Sequence, residues 1–246
     1  MEVIRSKSNR LIKETKKLHQ KKYRKHSYLI EGWHLFEEAC QAHATIERVF
    51  VTEEAYPKVI GDFPVTVVSS EIIQELADSQ TPQGVVAQVA LPKTEMPEEF
   101  GGKYLVLEDI QDPGNLGTMV RTADAAGYDA VFLSDKSADI YSLKTLRSMQ
   151  GSHFHLPIYR VAIEELLAQF KNQGVQILAT TLSKDSIDYK AVTAVASFAI
   201  IMGNEGQGIS TVVEGQADTL LHISMPGQAE SLNVAVAAGI LLFSFI

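Results

Sequence analysis

The sequence has very little cysteine and no long apolar run. Cys40 is the only cysteine among 246 residues, which excludes an internal disulfide and any zinc site built from several cysteines. We expect Cys40 to be a small buried residue of a protein from the reducing cytoplasm. No stretch of 18 apolar residues occurs, so we expect no transmembrane helix. The basic N-terminus is not followed by an apolar segment, so we do not expect it to be a secretory signal.

Two phosphate-binding signatures are also missing. Neither G-x-G-x-x-G nor G-x-x-x-x-G-K-[ST] occurs in the chain, which disfavours a nicotinamide-dependent oxidoreductase with the usual dinucleotide-binding turn. His153 and His155 lie two residues apart. Without cysteine or a nearby carboxylate pattern, we favour a packing or substrate-facing role for them over metal binding. No metal site is predicted.

Positive charge is scarce overall but concentrated at one end. The net charge is −8, yet residues 1–30 hold ten Lys/Arg and two Asp/Glu, whereas the remainder holds 12 and 28. Binding a phosphate backbone requires a basic patch rather than a basic protein. The basic segment is therefore a candidate polyanion contact, although a solvated helix face would explain these lysines equally well. The same two interpretations apply to Lys144 and Arg147.

The first part of the chain has the pattern of a small α/β domain. Apolar periodicity, β-branched runs and the Ser69 helix start indicate alternating helices and strands. We predict helices over 8–25, 33–39 and 69–77, and strands over 28–30, 47–52, 64–68 and 84–90. Residues 91–102 contain two prolines and a double glycine, which is typical of a linker. We therefore divide the chain into a domain at 1–92, a linker at 93–102 and a domain at 103–246.

The second part alternates strands and helices more regularly. Such alternation predicts an α/β fold with a parallel sheet and helices on both faces. We predict strands over 103–108, 130–133, 175–180, 198–202 and 220–223, and helices over 115–126, 142–149, 162–172 and 231–246. The last helix is apolar nearly all round, so we expect it to be buried or to lie in an interface. The apolar run stops at Ile246, and we expect a short native tail to follow.

Three segments of the second part combine polar residues with glycines at expected strand ends. They are 112–121, 201–208 and 223–234. Open α/β sheets bind ligands at the ends of their strands. Each segment taken alone has an ordinary explanation, because Asn115 and Ser231 suit helix caps and the 203–208 loop suits a turn.

Taken together, the order, spacing and residue types of these segments resemble the SpoU branch of the SPOUT RNA methyltransferases over residues 103–246. The first domain resembles, less strongly, the L30e-like substrate-binding domain often found in front of them, best over 31–39. The resemblance implies methylation of RNA by S-adenosyl-L-methionine, usually at a ribose 2′-hydroxyl, with ribosomal RNA of the 23S type favoured and tRNA as the alternative. It also implies a deep C-terminal trefoil knot, and a homodimer that has the final helix in its interface and shares its active site.

The resemblance also assigns roles to individual residues. Those at positions that contact the cofactor, or wall its pocket, are Thr181, Gly203, Ile223, Met225 and Leu232. Those at active-site positions are Asn115, Arg121, Glu205, Ser231 and Asn233. A guanidinium stays protonated and is a poor base, so we expect Arg121 to stabilise a developing alkoxide or hold a phosphate. Water, phosphate or Glu205 would then take the proton.

A non-catalytic RNA-binding or ribosome-assembly factor on the same fold is the competing interpretation. The complete set of polar site residues argues against it, because a binding protein needs none of them. If the basic segment binds RNA, charge reversal at Lys16, Lys17, Lys21 and Lys22 should weaken the affinity and flatten its salt dependence.

Overall fold

The computed structural model describes residues 2–246, which fall into two compact units. The first comprises the residues up to Lys93 together with Asp139–Phe154, and the second comprises Thr94–Ala138 and His155–Ile246. The domain boundaries predicted above stay predictions. Residues 139–154 pack within the first unit although they follow the start of the second unit in the sequence.

Helices and strands alternate along most of the chain. Up to residue 138 the elements are α1 (Arg10–Lys17), β1 (Ser27–Glu31), α2 (Trp33–Gln41), β2 (Ile46–Val51), β3 (Val65–Val67), α3 (Ser70–Leu76), β4 (Val85–Ala90), β5 (Lys103–Leu107), α4 (Pro113–Ala125) and β6 (Ala130–Leu133). After it they are α5 (Leu143–Met149), β7 (Ile158–Arg160), α6 (Ile163–Asn172), β8 (Gln176–Thr180), β9 (Ile187–Asp188), β10 (Phe198–Met202), α7 (Thr211–Gln216), β11 (Thr219–His222) and α8 (Val234–Ser244).

The first unit is built on a mixed sheet with strand order β1-β4-β2-β3. Strand β4 runs antiparallel to β1 and β2, and β3 runs parallel to β2. Ile72 and Leu76 of α3 lie four residues apart and therefore share one helix face. Both pack into an apolar core with Leu29 and Phe50 of the sheet, and Leu143 of α5 joins the same core. This burial explains why 139–154 belongs to the first unit.

Two arginines fasten the 139–154 segment by ion pairs. The guanidinium of Arg24 is almost fully buried and pairs with Asp139, with Nη1 3.2 Å from Oδ1. Arg147 on α5 donates from Nη2 to Asp78 Oδ2 at 2.7 Å and from Nη1 to Glu31 Oε2 at 3.4 Å. Arg147 is therefore engaged by two carboxylates, which disfavours the alternative in which it contacts RNA.

The second unit has a parallel sheet with strand order β7-β6-β5-β10-β8-β11-β9. Strand β10 is central and buried at every residue, as expected for a strand covered on both faces. The apolar stripe of α6 that the sequence predicts, which includes Leu167 and Phe170, packs into the core. Helices α4 and α8 pack together, and Tyr128 Oη after α4 donates to the Leu242 carbonyl at 3.3 Å. The predicted α/β class is confirmed, and the trefoil knot stays a prediction.

Three local predictions are wrong. The helix expected over 8–25 ends at Lys17, and a 3₁₀ turn over Lys21–Tyr23 follows it, since the buried Arg24 ion pair fixes the chain there. Asp112, rather than Asn115, caps α4 and accepts from the Asn115 backbone N–H at 2.9 Å. Cys40 is half-buried rather than buried, because it lies near the exposed end of α2.

No helix among residues 2–246 combines the length and the apolarity that crossing a membrane requires.

Candidate active site

Four strands of the second unit end at the same edge of the sheet. They are β5, β8, β10 and β11, which are mutually parallel neighbours in the order β5-β10-β8-β11. Parallel neighbours place their carboxyl ends together, and open α/β sheets bind ligands at that edge. The segments that follow these strands contain the residues that the sequence singled out.

A cavity of about 490 Å³ opens at this edge. Its wall includes all five residues predicted to bind cofactor, which are Thr181, Gly203, Ile223, Met225 and Leu232. Leu221 and Leu241 add apolar surface. An apolar pocket of a few hundred Å³ with a few polar groups is typical of a small-molecule site. The role of the five predicted residues in cofactor binding stays a prediction, although the fold brings them together in one cavity from distant parts of the sequence.

Gly203 begins a tight loop that folds back on itself. The backbone N–H groups of Asn204 and Gly208 each donate to the other residue's carbonyl at 2.9 Å. A Cβ at position 203 would lie only 2.2 Å from the Gly208 carbonyl carbon. Only glycine fits without displacing the backbone, and the close approach shapes this side of the cavity.

Asn204 holds this loop in place, and sequence reasoning missed it. Its Oδ1 accepts from the backbone N–H groups of Gly206 and Gln207 at 2.9 and 3.0 Å. Its Nδ2 donates to the Asp109 carbonyl, after β5, at 2.8 Å. The signal was available, because asparagine beside glycines commonly bonds to its own loop backbone.

A relay of hydrogen bonds joins three of the predicted active-site residues. Asn115 Nδ2 donates to Glu205 Oε1 at 3.2 Å, and Asn233 Nδ2 donates to Asn115 Oδ1 at 3.0 Å. Asn233 Oδ1 caps α8 by accepting from the backbone N–H groups of Ala235 and Val236 at 2.9 and 3.3 Å. The cap fixes which atom of Asn233 is the donor, and that choice fixes the orientation of the Asn115 amide.

Hydrogen bonds keep Glu205 in its charged form. Partial burial alone would raise the pKa of this carboxyl, but its own backbone N–H, those of Asp112 and Gln111, and the Asn115 amide together hold the pKa below its usual value. Asp112 and Gln111 donate to the carboxylate at 3.1 and 3.2 Å. A carboxylate stabilised in this way accepts protons poorly, which favours a positioning role for Glu205.

Ser231 and His222 both line the cavity. Ser231 does not cap α8 as the sequence led us to expect, since Asn233 occupies that position. His222 is half-buried in the cavity wall. Its Nδ1 lies 2.9 Å from the Ser186 hydroxyl, and its Nε2 lies 3.4 Å from that of Ser224.

Arg121 is the predicted active-site residue that the structure leaves apart. It lies on α4 six residues after Asn115, which on an ideal helix means about 120° around the axis and about 9 Å along it. Its side chain is exposed, and no hydrogen bond or ion pair joins it to another residue within 2–246. Arg121 does not line the cavity. Asn115 and Asn233 do not line it either, but hydrogen bonds join them to Glu205, which does.

The two histidines considered as metal ligands have separate neighbours. His153 Nε2 lies 3.0 Å from Tyr28 Oη in the first unit, and His155 Nδ1 lies 3.3 Å from Asp124 Oδ2 in the second. Across the described residues, no group of three or more His, Cys, Asp or Glu side chains is arranged to hold a metal ion.

Comparison with known proteins identifies the family. The model of the SpoU rRNA methylase family matches residues 102–243, and that of the MRM3-like substrate-binding domain matches residues 9–87. The chain is 40% identical over 249 residues to the 23S rRNA (guanosine(2553)-2′-O)-methyltransferase RlmP of Bacillus subtilis, covering 99% of this chain and 98% of the relative. The chain belongs to the SpoU rRNA methylase family.

Solved structures of SpoU methylases and related proteins agree with the fold. The AdoMet-bound rRNA methyltransferase of Sinorhizobium meliloti is 32% identical and superposes with a TM-score of 0.88, covering 98% of this chain and 96% of that one. The SpoU methyltransferase AviRb of Streptomyces viridochromogenes, in complex with AdoMet, is 23% identical with a TM-score of 0.85 over 96% of each chain. The second comparison supports the fold alone, and the predicted family is confirmed.

Proposed function

We propose that this protein transfers a methyl group from S-adenosyl-L-methionine to a ribose 2′-hydroxyl of ribosomal RNA of the 23S type. The observation that carries the proposal is the cavity at the strand ends, whose wall contains the five expected cofactor residues beside the Glu205–Asn115–Asn233 relay. The similarity to RlmP over nearly the whole of both chains supports the choice of substrate.

The residues of the cavity fit the proposed cofactor. Its volume of about 490 Å³ suits a nucleoside-sized ligand. Apolar side chains such as Leu221 and Leu232 would cover the flat parts of the ligand, and the backbone at Gly203 and Ile223 would hydrogen-bond to it. S-adenosyl-L-methionine supplies a methyl group on a positively charged sulfur, which a nucleophile must approach in line. The chain's contribution is to position that nucleophile.

Asn115 and Asn233 are suited to hold the ribose. Each amide nitrogen uses one hydrogen in the relay, and within residues 2–246 its second hydrogen has no partner. Two donors fixed side by side can orient the hydroxyl groups of one sugar. Glu205 holds Asn115 in place, and the hydrogen bonds that lower its pKa weaken it as a base, so we assign it the positioning role and leave the proton to solvent.

The protein would act as a homodimer, with Arg121 serving the site of the partner subunit. Helix α8 exposes Val236 and Phe243 at 53% and 49% of their surface, although its other face is packed against α4. An apolar helix with an exposed apolar side is typical of an interface. Arg121 is exposed and lies on the helix that contacts α8, so dimerisation through this region would cover it. There it would stabilise the developing alkoxide or hold the adjacent phosphate.

The first unit would bind the RNA substrate, in line with its match to a substrate-binding domain. A protein that modifies ribosomal RNA acts where ribosomes are assembled, which accords with the cytoplasm expected from its single cysteine. The trefoil knot belongs to the same proposal, because it would shape the cavity at the strand ends.

The test is transfer of labelled methyl groups to unmodified total RNA, with the wild-type protein and Asn233→Ala compared. We expect label in the large ribosomal RNA, and loss of most of it in the variant. S-adenosylhomocysteine binding by the variant shows that its fold is intact. Label in tRNA alone would overturn the substrate. No transfer to free RNA or to precursor ribosomal particles, with cofactor binding intact, would favour the non-catalytic binder.

A further inference from the structure

The first unit exposes one aromatic ring among lysines. Tyr23 closes the 3₁₀ turn Lys21–Tyr23 and is 44% exposed. The Nζ atoms of Lys22 and Lys17 lie 4.9 and 5.9 Å from the centre of its ring. Within residues 2–246 its hydroxyl forms no hydrogen bond and its ring contacts no other ring. A large flat apolar surface is therefore left in water beside positive charge.

The turn that presents this ring is firmly anchored. Its backbone is closed by hydrogen bonds from Tyr23 N to the Gln20 carbonyl at 3.0 Å and from Arg24 N to the Lys21 carbonyl at 3.1 Å. Arg24, the next residue, is buried and paired with Asp139. Breaking such a pair would leave a buried charge without a partner, which is strongly unfavourable. The backbone that presents the ring is thus fixed before any ligand arrives, so little backbone entropy is lost on binding.

The positive charge of the turn itself is uncompensated. Lys21, Lys22 and Lys25 are exposed, and none of them forms an ion pair with the residues that the structure describes. Lys16 and Lys17, by contrast, pair with Glu75 and Glu14. All three exposed lysines at the turn are therefore available for a polyanion, whereas two of the basic side chains on α1 are already paired.

We propose that Tyr23 stacks against an unpaired base of the RNA substrate while Lys21 and Lys22 bind the flanking phosphates. This rests on the proposed function, since it takes RNA as the ligand. Exposed cation–π contacts are weak compared with base stacking, so a base can displace the Lys22 ammonium from the ring. The flexible lysine then reaches the phosphate next to that base. In an A-form duplex the base faces are already stacked, and the ligand is therefore a single-stranded loop, bulge or end.

The chain offers a matched control for this ring. Tyr56 also lies in a 3₁₀ turn of the first unit and is 37% exposed, but within residues 2–246 no lysine or arginine lies over its ring. Replacement of Tyr56 removes the same aromatic surface from a place where no stacking is expected.

The experiment measures dissociation constants for a short oligouridylate and for an RNA duplex of the same length. For the oligouridylate we expect Tyr23→Ala to weaken binding about 5- to 150-fold. Tyr23→Phe keeps the ring, so it should stay within about two-fold of wild type, and Tyr56→Ala should leave the affinity unchanged. For the duplex, Tyr23→Ala should have no effect. Because Tyr23→Ala removes no phosphate contact, the slope of affinity against salt should stay the same.

Several results would overturn this role. One is that Tyr23→Ala binds the oligouridylate as tightly as wild type, and another is that it loses the same affinity for the single strand and the duplex. A third is that Tyr23→Phe binds as weakly as Tyr23→Ala, and a fourth is that the wild-type protein fails to bind the oligouridylate. Each of these four results contradicts stacking by Tyr23. Methyl transfer to ribosomal RNA is measured in the same preparations. A wild-type protein that transfers no methyl group contradicts the proposed function, whereas an unaffected Tyr23→Ala variant beside active wild type contradicts the stacking role alone. S-adenosylhomocysteine binding confirms that each variant is folded.

Discussion

At Gly203 an added methyl group would occupy space that the Gly208 backbone already fills. The alanine Cβ would lie 2.2 Å from the Gly208 carbonyl carbon, so the loop would have to shift into or away from the cavity. We expect Gly203→Ala to weaken S-adenosylhomocysteine binding about 10- to 100-fold, which corresponds to an overpacking cost of about 1–3 kcal/mol. Calorimetric titration measures the change.

Gly215→Ala is the matched control for that substitution. Gly215 lies in α7, and a Cβ there would meet no atom within 4 Å. We expect the control to bind S-adenosylhomocysteine like wild type and to unfold at the same or a slightly higher temperature. Equal affinity of Gly203→Ala and Gly215→Ala would show that the 203–208 loop does not shape the cofactor site.

Substitutions of Arg121 show whether its guanidinium acts through its planar shape or only through its charge. Lysine keeps the charge but loses the planar fork that binds two oxygens at once. If Arg121 stabilises a developing alkoxide or grips a phosphate, Arg121→Lys should lower kcat at least about ten-fold and Arg121→Ala about 10²-fold or more. Affinity for S-adenosylhomocysteine should not change in either variant. Near-full activity of Arg121→Lys would rule out the bidentate role.

The role of a single residue could be predicted where only one type of side chain can perform it. It could not be predicted where two nearby side chains have the same chemical group and the backbone geometry selects one of them. The family resemblance put Asn115, Glu205 and Asn233 at active-site positions, and the structure joins the three by hydrogen bonds, while their catalytic roles stay predictions. The sequence assigned the cap of α4 to Asn115, but Asp112 performs that task one turn earlier, since either side chain has the oxygen a cap requires. The inter-residue bonds of the relay depend on the tertiary fold, and no local pattern encodes them.

At the scale of elements, α1 and the turn after it divide the basic segment into two parts. Lys16 and Lys17 on α1 pair with Glu75 and Glu14, whereas Lys21 and Lys22 have no such partner within residues 2–246. We expect Lys21→Gln/Lys22→Gln to lower the slope of log affinity against log salt for single-stranded RNA by about 1.4, or about 0.7 for each lost phosphate contact. Lys16→Gln/Lys17→Gln should change the slope much less. The reverse ranking would place the phosphate contact on α1 instead.

Elements with a strong local pattern were predicted well. The amphipathic stripe of α6 and the apolar run of β10 appear as expected, because 3.6-residue periodicity and continuous burial leave clear traces in sequence. The helix expected over 8–25 ends at Lys17, and the chain turns again over Lys21–Tyr23 before the buried Arg24 pairs with Asp139. Such a long-range contact is not encoded in the local pattern.

For the whole molecule, the central question is whether two subunits build one site. If Arg121 acts in the partner's site, co-expression of Arg121→Ala with Asn233→Ala creates mixed dimers with one intact site each. We then expect roughly a quarter of wild-type activity, because about half of the dimers are mixed and half of their sites are complete. Each variant alone should be nearly inactive. A co-expressed sample as inactive as the single variants would show that each chain uses its own Arg121, or that the protein does not form this dimer.

The arrangement of the chain into two units was only partly visible in the sequence. The proline- and glycine-containing linker near residue 100 marks a division. The return of 139–154 to the first unit was not predicted, because its determinants are side-chain contacts far apart in sequence, such as Leu143 in the apolar core and Arg147 beside Glu31.

The most direct test of the central claim is to find which atom of the RNA receives the methyl group. Ribosomal RNA labelled by the wild-type protein is digested completely to nucleosides, which are separated and identified by mass spectrometry. We expect the label in a 2′-O-methylnucleoside from the large ribosomal RNA. In a second portion of the same RNA, hydrolysed with alkali instead, we expect the label in a dinucleotide step that resists cleavage. Label in a base-methylated nucleoside, with no protected step, would contradict ribose methylation and the role assigned to the Asn115–Asn233 pair.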